Sequence, residues 1–429
     1  MSLQAYDHHP ATTLTDLRRE FHRYPEPAWR EYRTTCRVIE ELQQLGSPVT
    51  YGPAIHCREA MYGLPEDDAA NLRRARDEGC DGALLAELAG GYTGCVATIR
   101  GAHPGCTVAV RVDLDCNTIP ESREVDRLPV QEGFLSCHDG FMHGCGHDGH
   151  AAIGLGLAAR LWQRRTELHG QVKLIFQPAE EGLGGGASMV AAGVLEGVDI
   201  LLGGHISMGL SPVGVIAAGT HGFLASTKMD VFIHGRGAHA GVCPEEGRNA
   251  LAAAAAAVTN LLAISRTGRG ASRINVGSLV SVAGRNVIPP EAKLSLETRG
   301  ATDEINRYME DAALRVCRTA AEMYGCTMDH RIMGRGDAAG SDAALVERVT
   351  ESLRAVPGVT EVLPSFDFRA SEDVTTMMRH VQSHGGQATE LIFGADITAP
   401  HHSERFDFDE AVLPLAVDAL TAVVCDLMK

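Results

Sequence analysis

Gly144-Cys145-Gly146-His147-Asp148-Gly149-His150 is the stretch around which the rest of the sequence is organised. With residues 137–143 before it, it holds four histidines, two cysteines and two aspartates within 14 residues. Residues two apart in an extended segment point to the same side, so the Cys145 thiolate and the His147 imidazole can converge on one cation. Gly146 between them adds no bulk and permits a tight turn. Zinc and similar metals accept both ligand types, so this stretch predicts a metal site.

Two other interpretations of the stretch are a zinc finger and a polar loop whose histidines cap a helix. A zinc finger needs paired Cys-x-x-Cys knuckles, and the sequence contains none. Helix capping accounts for any one of these histidines, but it is a poor account of the whole cluster.

Length and composition indicate a globular protein. The 429 residues are 45% hydrophobic and 22% charged, which favours two domains with a large core. A net charge of −17 disfavours nucleic acid and anionic membranes as partners, and no apolar run is long enough to span a bilayer. The N-terminus lacks signal-peptide features and the twelve cysteines have no framework spacing, so we expect reduced thiols and a cytoplasmic location.

Three predicted strands each end in polar residues. Because the carboxyl ends of parallel strands meet at one edge of a sheet, their polar tips should lie close together. The repeated order of strand, polar tip and helix predicts an α/β fold with a mostly parallel sheet. The three strands are Thr107–Leu114, Val172–Phe176 and Ile200–Leu202.

Apolar residues at helical spacing predict helices over 12–24, 28–46, 67–88 and 151–164.

The pattern changes near Leu224. From there the predicted order is strand, helix, strand, strand, helix, strand, which is the βαββαβ, ferredoxin-like unit. We predict that this unit, 224–334, is inserted into a discontinuous first domain, 1–223 plus 335–429.

Two adjacent carboxylates, Glu180 and Glu181, directly follow a predicted buried strand. One can hold a metal while the other faces a bound water, a division that suits metal-assisted hydrolysis. Alone, the pair is more typical of a solvated turn. The cysteine–histidine cluster and the strand-end His205 favour hydrolysis, and His401 and His402 add imidazoles after a later strand.

Three polar residues of the inserted unit are candidates for substrate binding. Arg299, at a strand end, could clamp a carboxylate in a bidentate manner. His239, between small residues, and Asn286, in a polar turn, could donate hydrogen bonds to an oxyanion. Each of the three is also an ordinary surface residue when it is considered alone.

Several motifs together make the sequence similar, over nearly its whole length, to the aminoacylase/carboxypeptidase metallopeptidases. The similarity is greatest to their amidohydrolase branch, which includes hippurate and auxin-conjugate hydrolases. Arg111 stands where the wider family has a histidine, and Ala370 where it usually has glycine. The motifs are Met142–His150, Gln177–Gly182, Ala238–Gly241, His402-Ser403 before Phe406-Asp407-Phe408, and His22–Glu26.

This resemblance implies a zinc-peptidase-like catalytic domain, an inserted dimerisation or lid domain, and a site for two divalent ions, zinc or manganese. The implied metal ligands are Cys145, His147, Glu181, His205 and His402, the last preferred over His401 because a serine follows it.

The resemblance also implies roles for other residues. Glu180 would be the general base and acid, and His239 would reach into the site of a partner copy. Asn286 and Arg299 would hold the substrate carboxylate. Asp113 would orient a metal ligand from behind.

The expected activity is therefore metal-dependent hydrolysis of the amide bond of a small-molecule N-acyl amino acid. Within the branch, residues 61–90, 275–277, 284–287 and 293–300 most resemble the p-aminobenzoyl-glutamate hydrolases, and this resemblance implies p-aminobenzoyl-glutamate as the substrate. Two alternatives stay open: a hippurate-like or peptide hydrolase, and a subunit that is active only in a hetero-oligomer with a related chain. A homodimer is the expected assembly.

Overall fold

The structure, a computed structural model, describes residues 10–429, with side chains from Leu14 onwards. Its contacts divide the chain into two compact units. The first unit comprises residues up to 221 together with 340–368 and 372–429, and the second comprises 222–339 with 369–371. The inserted segment of the second unit runs from 222 to 339, where the sequence predicted 224–334. The membership of residues 369–371 in the second unit had no sequence signal.

The helices and strands are as follows. The helices are α1 (Pro10–Arg23), α2 (Tyr32–Leu45), α3 (Ala69–Asp77), α4 (Gly82–Leu88), α5 (Leu128–Gln131), α6 (His147–Gln163), α7 (Gly185–Ala191), α8 (Ala250–Leu262), α9 (Asp303–Met323), α10 (Ala343–Arg354), α11 (Val374–Ser383) and α12 (Val412–Leu427). The strands are β1 (Val49–Tyr51), β2 (Cys95–Arg100), β3 (His103–Asp113), β4 (His169–Gln177), β5 (Ile200–Ile206), β6 (Val215–Ala217), β7 (Thr220–His221), β8 (Ala225–His234), β9 (Ser272–Val280), β10 (Glu291–Gly300), β11 (Thr327–Gly336), β12 (Glu361–Leu363), β13 (Phe366–Asp367) and β14 (Gln387–Phe393).

The first unit is built on a sheet with the strand order β1-β2-β4-β3-β5-β14-β6-β12. The central strands β4, β3, β5 and β14 are parallel, and antiparallel pairs occur only towards the two edges. The carboxyl half of β3 is continuously buried, as expected for a parallel strand covered on both faces. Helices α1, α2 and α12 pack around α6, and α7 packs against α11. The predicted mostly parallel α/β fold is confirmed.

The helix predicted over residues 67–88 is wrong, because this segment forms two helices, α3 and α4. Gly79, with φ of +99°, lies in the break between them. Asp81 then starts α4, because its carboxylate accepts the backbone N–H groups of Ala83 and Leu84. The glycine and the capping aspartate were visible in the sequence, but the apolar periodicity across them masked the break.

The Gly144–His150 stretch is not extended. The prediction that Cys145 and His147 share one side of an extended segment is therefore wrong. Helix α6 begins at His147 rather than at the predicted Ala151, and Cys145 lies in a bend just before it. Gly146 has φ of +90°, a left-handed conformation that glycine adopts without a steric penalty. The glycine turn, and not strand alternation, therefore brings the two side chains together.

The second unit is a four-stranded antiparallel sheet, order β11-β8-β10-β9, with α8 and α9 packed against it. Alternate residues of β10 are buried, which places Leu294 and Leu296 on the face that packs against the helices. Asn249 and Thr302 cap α8 and α9 with their side chains. The βαββαβ order is confirmed. No helix within residues 10–429 combines the length and apolar character needed to cross a membrane.

Candidate metal centre

The residues predicted as metal ligands gather at the carboxyl edge of the central sheet. Glu181 follows β4, His205 lies near the end of β5, and His402 follows β14. Cys145 and His147 lie at the start of α6, which packs against β3, β4 and β5. All five belong to the first unit.

The potential ligand atoms form two groups that share Cys145. In the first group, atoms of Cys145, His147 and His205 all lie within 4.8 Å of one another, and Cys145 Sγ is 3.5 Å from His205 Nε2. In the second, atoms of Cys145, Glu181 and His402 meet the same limit, and His402 Nε2 is 3.5 Å from Glu181 Oε2. A sulfur common to both groups is placed where it could contact two neighbouring cations.

Backbone carbonyls fix the hydrogen positions of two of these imidazoles. The carbonyl of Asp115 lies 2.8 Å from His147 Nδ1, and that of Ile206 lies 2.9 Å from His205 Nδ1. A carbonyl only accepts, so Nδ1 carries the hydrogen and Nε2 keeps a lone pair. His147 Nε2 is buried and has no hydrogen-bond partner within the described chain. An orphaned buried lone pair beside a thiol and carboxylates fits a cation.

Asp115 also positions the two adjacent glutamates. Its carboxylate accepts the backbone N–H of Glu180 at 2.8 Å and that of Glu181 at 3.0 Å. Ala179, just before them, has φ of +58°, so the chain turns sharply between β4 and the pair. This role of Asp115 was not predicted from the sequence, although the residue directly follows the predicted strand Thr107–Leu114.

Glu180 is buried beside the first group of ligand atoms. Its Oε2 lies 4.0 Å from His147 Nε2. Burial, together with the charges of Glu372 and Glu181, raises the pKa of Glu180 well above that of an exposed glutamate. A carboxylate with a raised pKa is the better proton acceptor, which suits a general base.

Asp113 bonds to a histidine that was not predicted as a site residue. His150 Nδ1–H donates to Asp113 Oδ1 at 2.6 Å, and His150 Nε2 accepts the N–H of Ile206 at 3.0 Å. Although burial opposes it, the charge of Arg111 and the hydrogen bond from His150 hold the pKa of Asp113 well below its usual value. Asp113 lies 3.8 Å from His147 Nδ1, so its direct contact is with His150.

Arg111 forms a buried ionic network behind the centre. It lies 2.6 Å from Asp113, 3.0 Å from Asp373 and 3.5 Å from Glu372. Its Nε also donates to Gln177 Oε1 at 3.0 Å. A charged residue inside an otherwise apolar strand was the sequence signal for this network.

The structure distinguishes the two neighbouring histidines near the C-terminus. His402 has φ of +63°, donates its backbone N–H to the Gly144 carbonyl at 2.8 Å and has a half-exposed ring. His401 instead directs Nε2 towards the Ile206 carbonyl at 3.3 Å and packs on Phe406. Of the two, it is His402 that takes part in the second ligand group.

The three candidates for substrate binding lie in the second unit. His239 and Asn286 are brought together, because the N–H of Ala240 donates to the Asn286 carbonyl at 2.8 Å. Arg299 lies on β10, near the end of that strand. Its guanidinium donates two hydrogen bonds of 3.1 Å to the carboxylate of Glu297.

The sequence and structure comparisons identify the class of protein. Residues 109–426 match the family described as Peptidase family M20/M25/M40. The chain belongs to this family, and it is an enzyme that acts on amide bonds. The family predicted from the motifs is therefore confirmed.

Individual relatives match almost end to end. One is a component chain of the p-aminobenzoyl-glutamate hydrolase of Escherichia coli (strain K12), which is 44% identical over 422 residues, 98% of this chain and 97% of that protein. The indole-3-acetyl-aspartic acid hydrolase of Enterobacter agglomerans is 45% identical over 415 residues, 96% and 95% of the two chains. The crystal structure of an aminobenzoyl-glutamate utilization protein from Klebsiella pneumoniae superposes with a TM-score of 0.84 at 38% identity, covering 99% and 98%.

Proposed function

We propose that this chain is a metal-dependent amidohydrolase that releases an amino acid from its N-acyl conjugate. The observation that carries the proposal is the pair of ligand groups that share Cys145. In this proposal Cys145, His147, Glu181, His205 and His402 hold two divalent ions. Thiolate, imidazole and carboxylate together suit zinc, and the carboxylate and imidazole donors suit manganese as well.

The bound ions would polarise the scissile carbonyl and lower the pKa of a water molecule. Glu180 takes the proton from this water and passes it to the leaving amine. The Asp115 carboxylate holds the backbone at Glu180 and so fixes the reach of the side chain. His150 and Asp113 support the centre from behind, because His150 also anchors the backbone of Ile206, next to His205.

The proposed substrate joins an aromatic acyl group to an acidic amino acid. The names of the Escherichia coli and Enterobacter agglomerans relatives share that chemistry, since one specifies p-aminobenzoyl-glutamate and the other indole-3-acetyl-aspartate. We favour p-aminobenzoyl-glutamate. Asn286 and Arg299 bind the carboxylate of the substrate, and His239 donates to the developing oxyanion from a neighbouring copy.

The second unit supplies the proposed surface for that neighbouring copy. Strand β9 is an edge strand of its sheet, and Val280 at its end and Val282 just beyond are exposed. Leu262 on α8 and Met323 on α9 are also exposed. Exposed apolar side chains beside an unpaired strand edge favour a protein partner, here a second copy of the chain. The Escherichia coli relative is named as one component of a hydrolase, so a related second chain is the alternative occupant.

Substrate assays of the purified chain with added Zn²⁺ or Mn²⁺ test the proposal. We expect hydrolysis of p-aminobenzoyl-glutamate to exceed that of indole-3-acetyl-aspartate and hippurate, and to disappear with chelator. The Glu180→Gln variant should lose about 10²–10⁴-fold in kcat while it retains its metal. Glu167→Gln, which changes an exposed glutamate, is the control. Normal turnover by the Glu180→Gln variant would show that the assignment of the base is wrong.

Light scattering of the same preparation tests the assembly. A dimer that is active alone supports the homodimer. If the purified chain is inactive and gains activity only when a related second chain is added, the active assembly is the hetero-oligomer and not the homodimer.

A further inference from the structure

A second cluster of ligand-type side chains lies in the first unit, apart from the candidate metal centre. Potential ligand atoms of Glu78, Cys137 and His138 all lie within 4.8 Å of one another. Glu78 follows the C-terminus of α3, and Cys137 and His138 precede the organising stretch. Cys137 is exposed, whereas His138 is buried. None of the three takes part in the proposed hydrolysis.

His138 resembles His147 of the candidate centre in that a backbone carbonyl faces its Nδ1 atom. Its Nδ1 lies 2.8 Å from the Pro25 carbonyl, so Nδ1 carries a hydrogen. Its Nε2 faces Glu78 Oε1 at 2.6 Å. Glu78 Oε2 is buried and has no hydrogen-bond partner in the described part of the chain. One ligand atom of the imidazole and one of the carboxylate thus lie within 4.8 Å of the Cys137 sulfur.

We propose that Glu78, Cys137 and His138 bind one divalent ion of the zinc class, with water completing a tetrahedral site. Sulfur, nitrogen and oxygen donors together are the set that such borderline ions accept. On binding, the thiol proton and the proton between His138 and Glu78 are released to solvent.

The geometry requires only a small adjustment. With zinc–ligand distances of about 2.0–2.3 Å, ligand atoms of a tetrahedral site lie about 3.3–3.8 Å apart. The Glu78 carboxylate must therefore withdraw from His138 by about 1 Å from the present 2.6 Å. Arg33 Nε, 3.9 Å from Glu78 Oε2, already gives this carboxylate one cationic neighbour. We therefore expect weaker binding here than at the candidate centre, which has more ligands.

An ion at this position would tie the end of α3 to the loop that contains Cys137 and His138. The backbone N–H of Cys137 donates to the Arg23 carbonyl, and His138 bonds to Pro25, so the loop is already attached to the α1–α2 connection. Glu78 adds the end of α3. The site would fix residues 137–143, which lead directly into the Gly144–His150 stretch.

Alkylation of cysteines, mapped by mass spectrometry, tests the proposal without relying on enzyme activity. The chain is stripped with chelator and treated with iodoacetamide in the presence and absence of Zn²⁺. We expect Zn²⁺ to slow alkylation of Cys137 by about tenfold or more, because a coordinated thiolate is shielded. Cys106, a partly exposed cysteine elsewhere in the first unit, is the internal control.

Three variants link that protection to the proposed ligands. Glu78→Gln and His138→Gln should abolish it, and Cys137→Ser should bind one Zn²⁺ per chain fewer than the wild type. Should His138→Gln fail to fold, the Glu78→Gln and Cys137→Ser variants still decide the matter. Equal alkylation of Cys137 with and without Zn²⁺, or equal zinc content of wild type and Cys137→Ser, would overturn the proposal.

Discussion

Asp115 holds His147 in the tautomer that a metal ligand needs, because its backbone carbonyl accepts the Nδ1 hydrogen at 2.8 Å. The carboxylate of the same residue accepts the backbone N–H groups of Glu180 and Glu181. One aspartate therefore fixes an imidazole through its main chain and two glutamates through its side chain. Its side chain can be changed while its carbonyl is left in place.

The first prediction concerns the side chain of Asp115, which a substitution removes while the backbone carbonyl stays. Replacing Asp115 by Ala should weaken metal binding about 10–100-fold and lower kcat, because the backbone of Glu180 and Glu181 loses its acceptors. Asp115→Asn keeps one acceptor oxygen and should lose less. Metal content after dialysis and steady-state kinetics measure the two effects. The matched control is Asp139→Ala, an exposed aspartate, and a wild-type metal content in Asp115→Ala would contradict the role given to the carboxylate.

The second prediction concerns the turn at Gly146. A Cβ there would meet no atom closer than 3.7 Å, so alanine should cost only its left-handed backbone conformation, about 1–2 kcal/mol. Because this turn sets the positions of Cys145 and His147, Gly146→Ala should also reduce metal retention.

Gly385→Ala separates the two effects of the Gly146 substitution. Gly385 has φ of +87°, and a Cβ added to it would meet nothing within 4 Å, but it lies after α11 and not in the centre. Both variants should lose similar stability in urea, and only Gly146→Ala should lose metal. Equal metal retention in both would mean that the turn is not what positions the ligands.

The proximity of the candidate ligands could be predicted because the relevant signals are local. Strand ends followed by Glu180-Glu181 and His205 are visible in the sequence, and parallel strands bring such tips to one edge. The glycines around Cys145 also predicted a turn. Where the prediction rested on extended-strand alternation instead, it was wrong, since α6 begins at His147.

The supporting residues could not be predicted because their partners are distant in sequence. Arg111 contacts Asp373, 262 residues away, and His150 contacts Asp113, 37 residues away. A buried arginine or aspartate is recognisable only when its counter-charge is known, and no periodicity encodes that pairing. The same holds for Glu78 and His138, which are 60 residues apart.

The third prediction is a pH-dependent contribution of His22 to stability. Burial opposes protonation of His22, but hydrogen bonds to Asp148 at 2.8 Å and Glu121 at 3.0 Å raise its pKa to about 9. The unfolded value is near 6.5, so the stabilisation is complete below that pH and is lost as the pH rises through about 9. This rise in the pKa of His22 corresponds to a contribution of about 3 kcal/mol to the free energy of unfolding.

Urea unfolding of wild type and His22→Gln measures this contribution. Both tryptophans, Trp29 and Trp162, belong to the first unit, so their fluorescence reports the unit that contains His22. The stability difference between the two proteins should shrink between about pH 6 and about pH 10. His103→Gln, at an exposed position of the same unit, should show no such trend. A difference that stays constant with pH would mean that His22 is not protonated in the folded state.

The fourth prediction is that Arg111 stabilises the fold through charge. Its guanidinium is 1% exposed and lies against Asp113, Glu372 and Asp373. Arg111→Met keeps much of the side-chain volume but leaves these carboxylates without their cation, which should cost about 3–5 kcal/mol of unfolding free energy. Arg123→Met removes an arginine that is 71% exposed and should change stability by less than about 0.5 kcal/mol.

The pH dependence of the Arg111→Met defect distinguishes lost charge from lost packing. Burial raises the pKa of Glu372 to about 7 and that of Asp373 to about 6 even with Arg111 present, and removing the arginine must raise both further. These two carboxyls are then neutral in the folded variant at about pH 5, so less uncompensated charge remains buried than at about pH 8. The destabilisation should therefore be smaller at about pH 5 than at about pH 8. A defect of the same size at both pH values would indicate that Arg111 acts by filling space, since packing does not titrate.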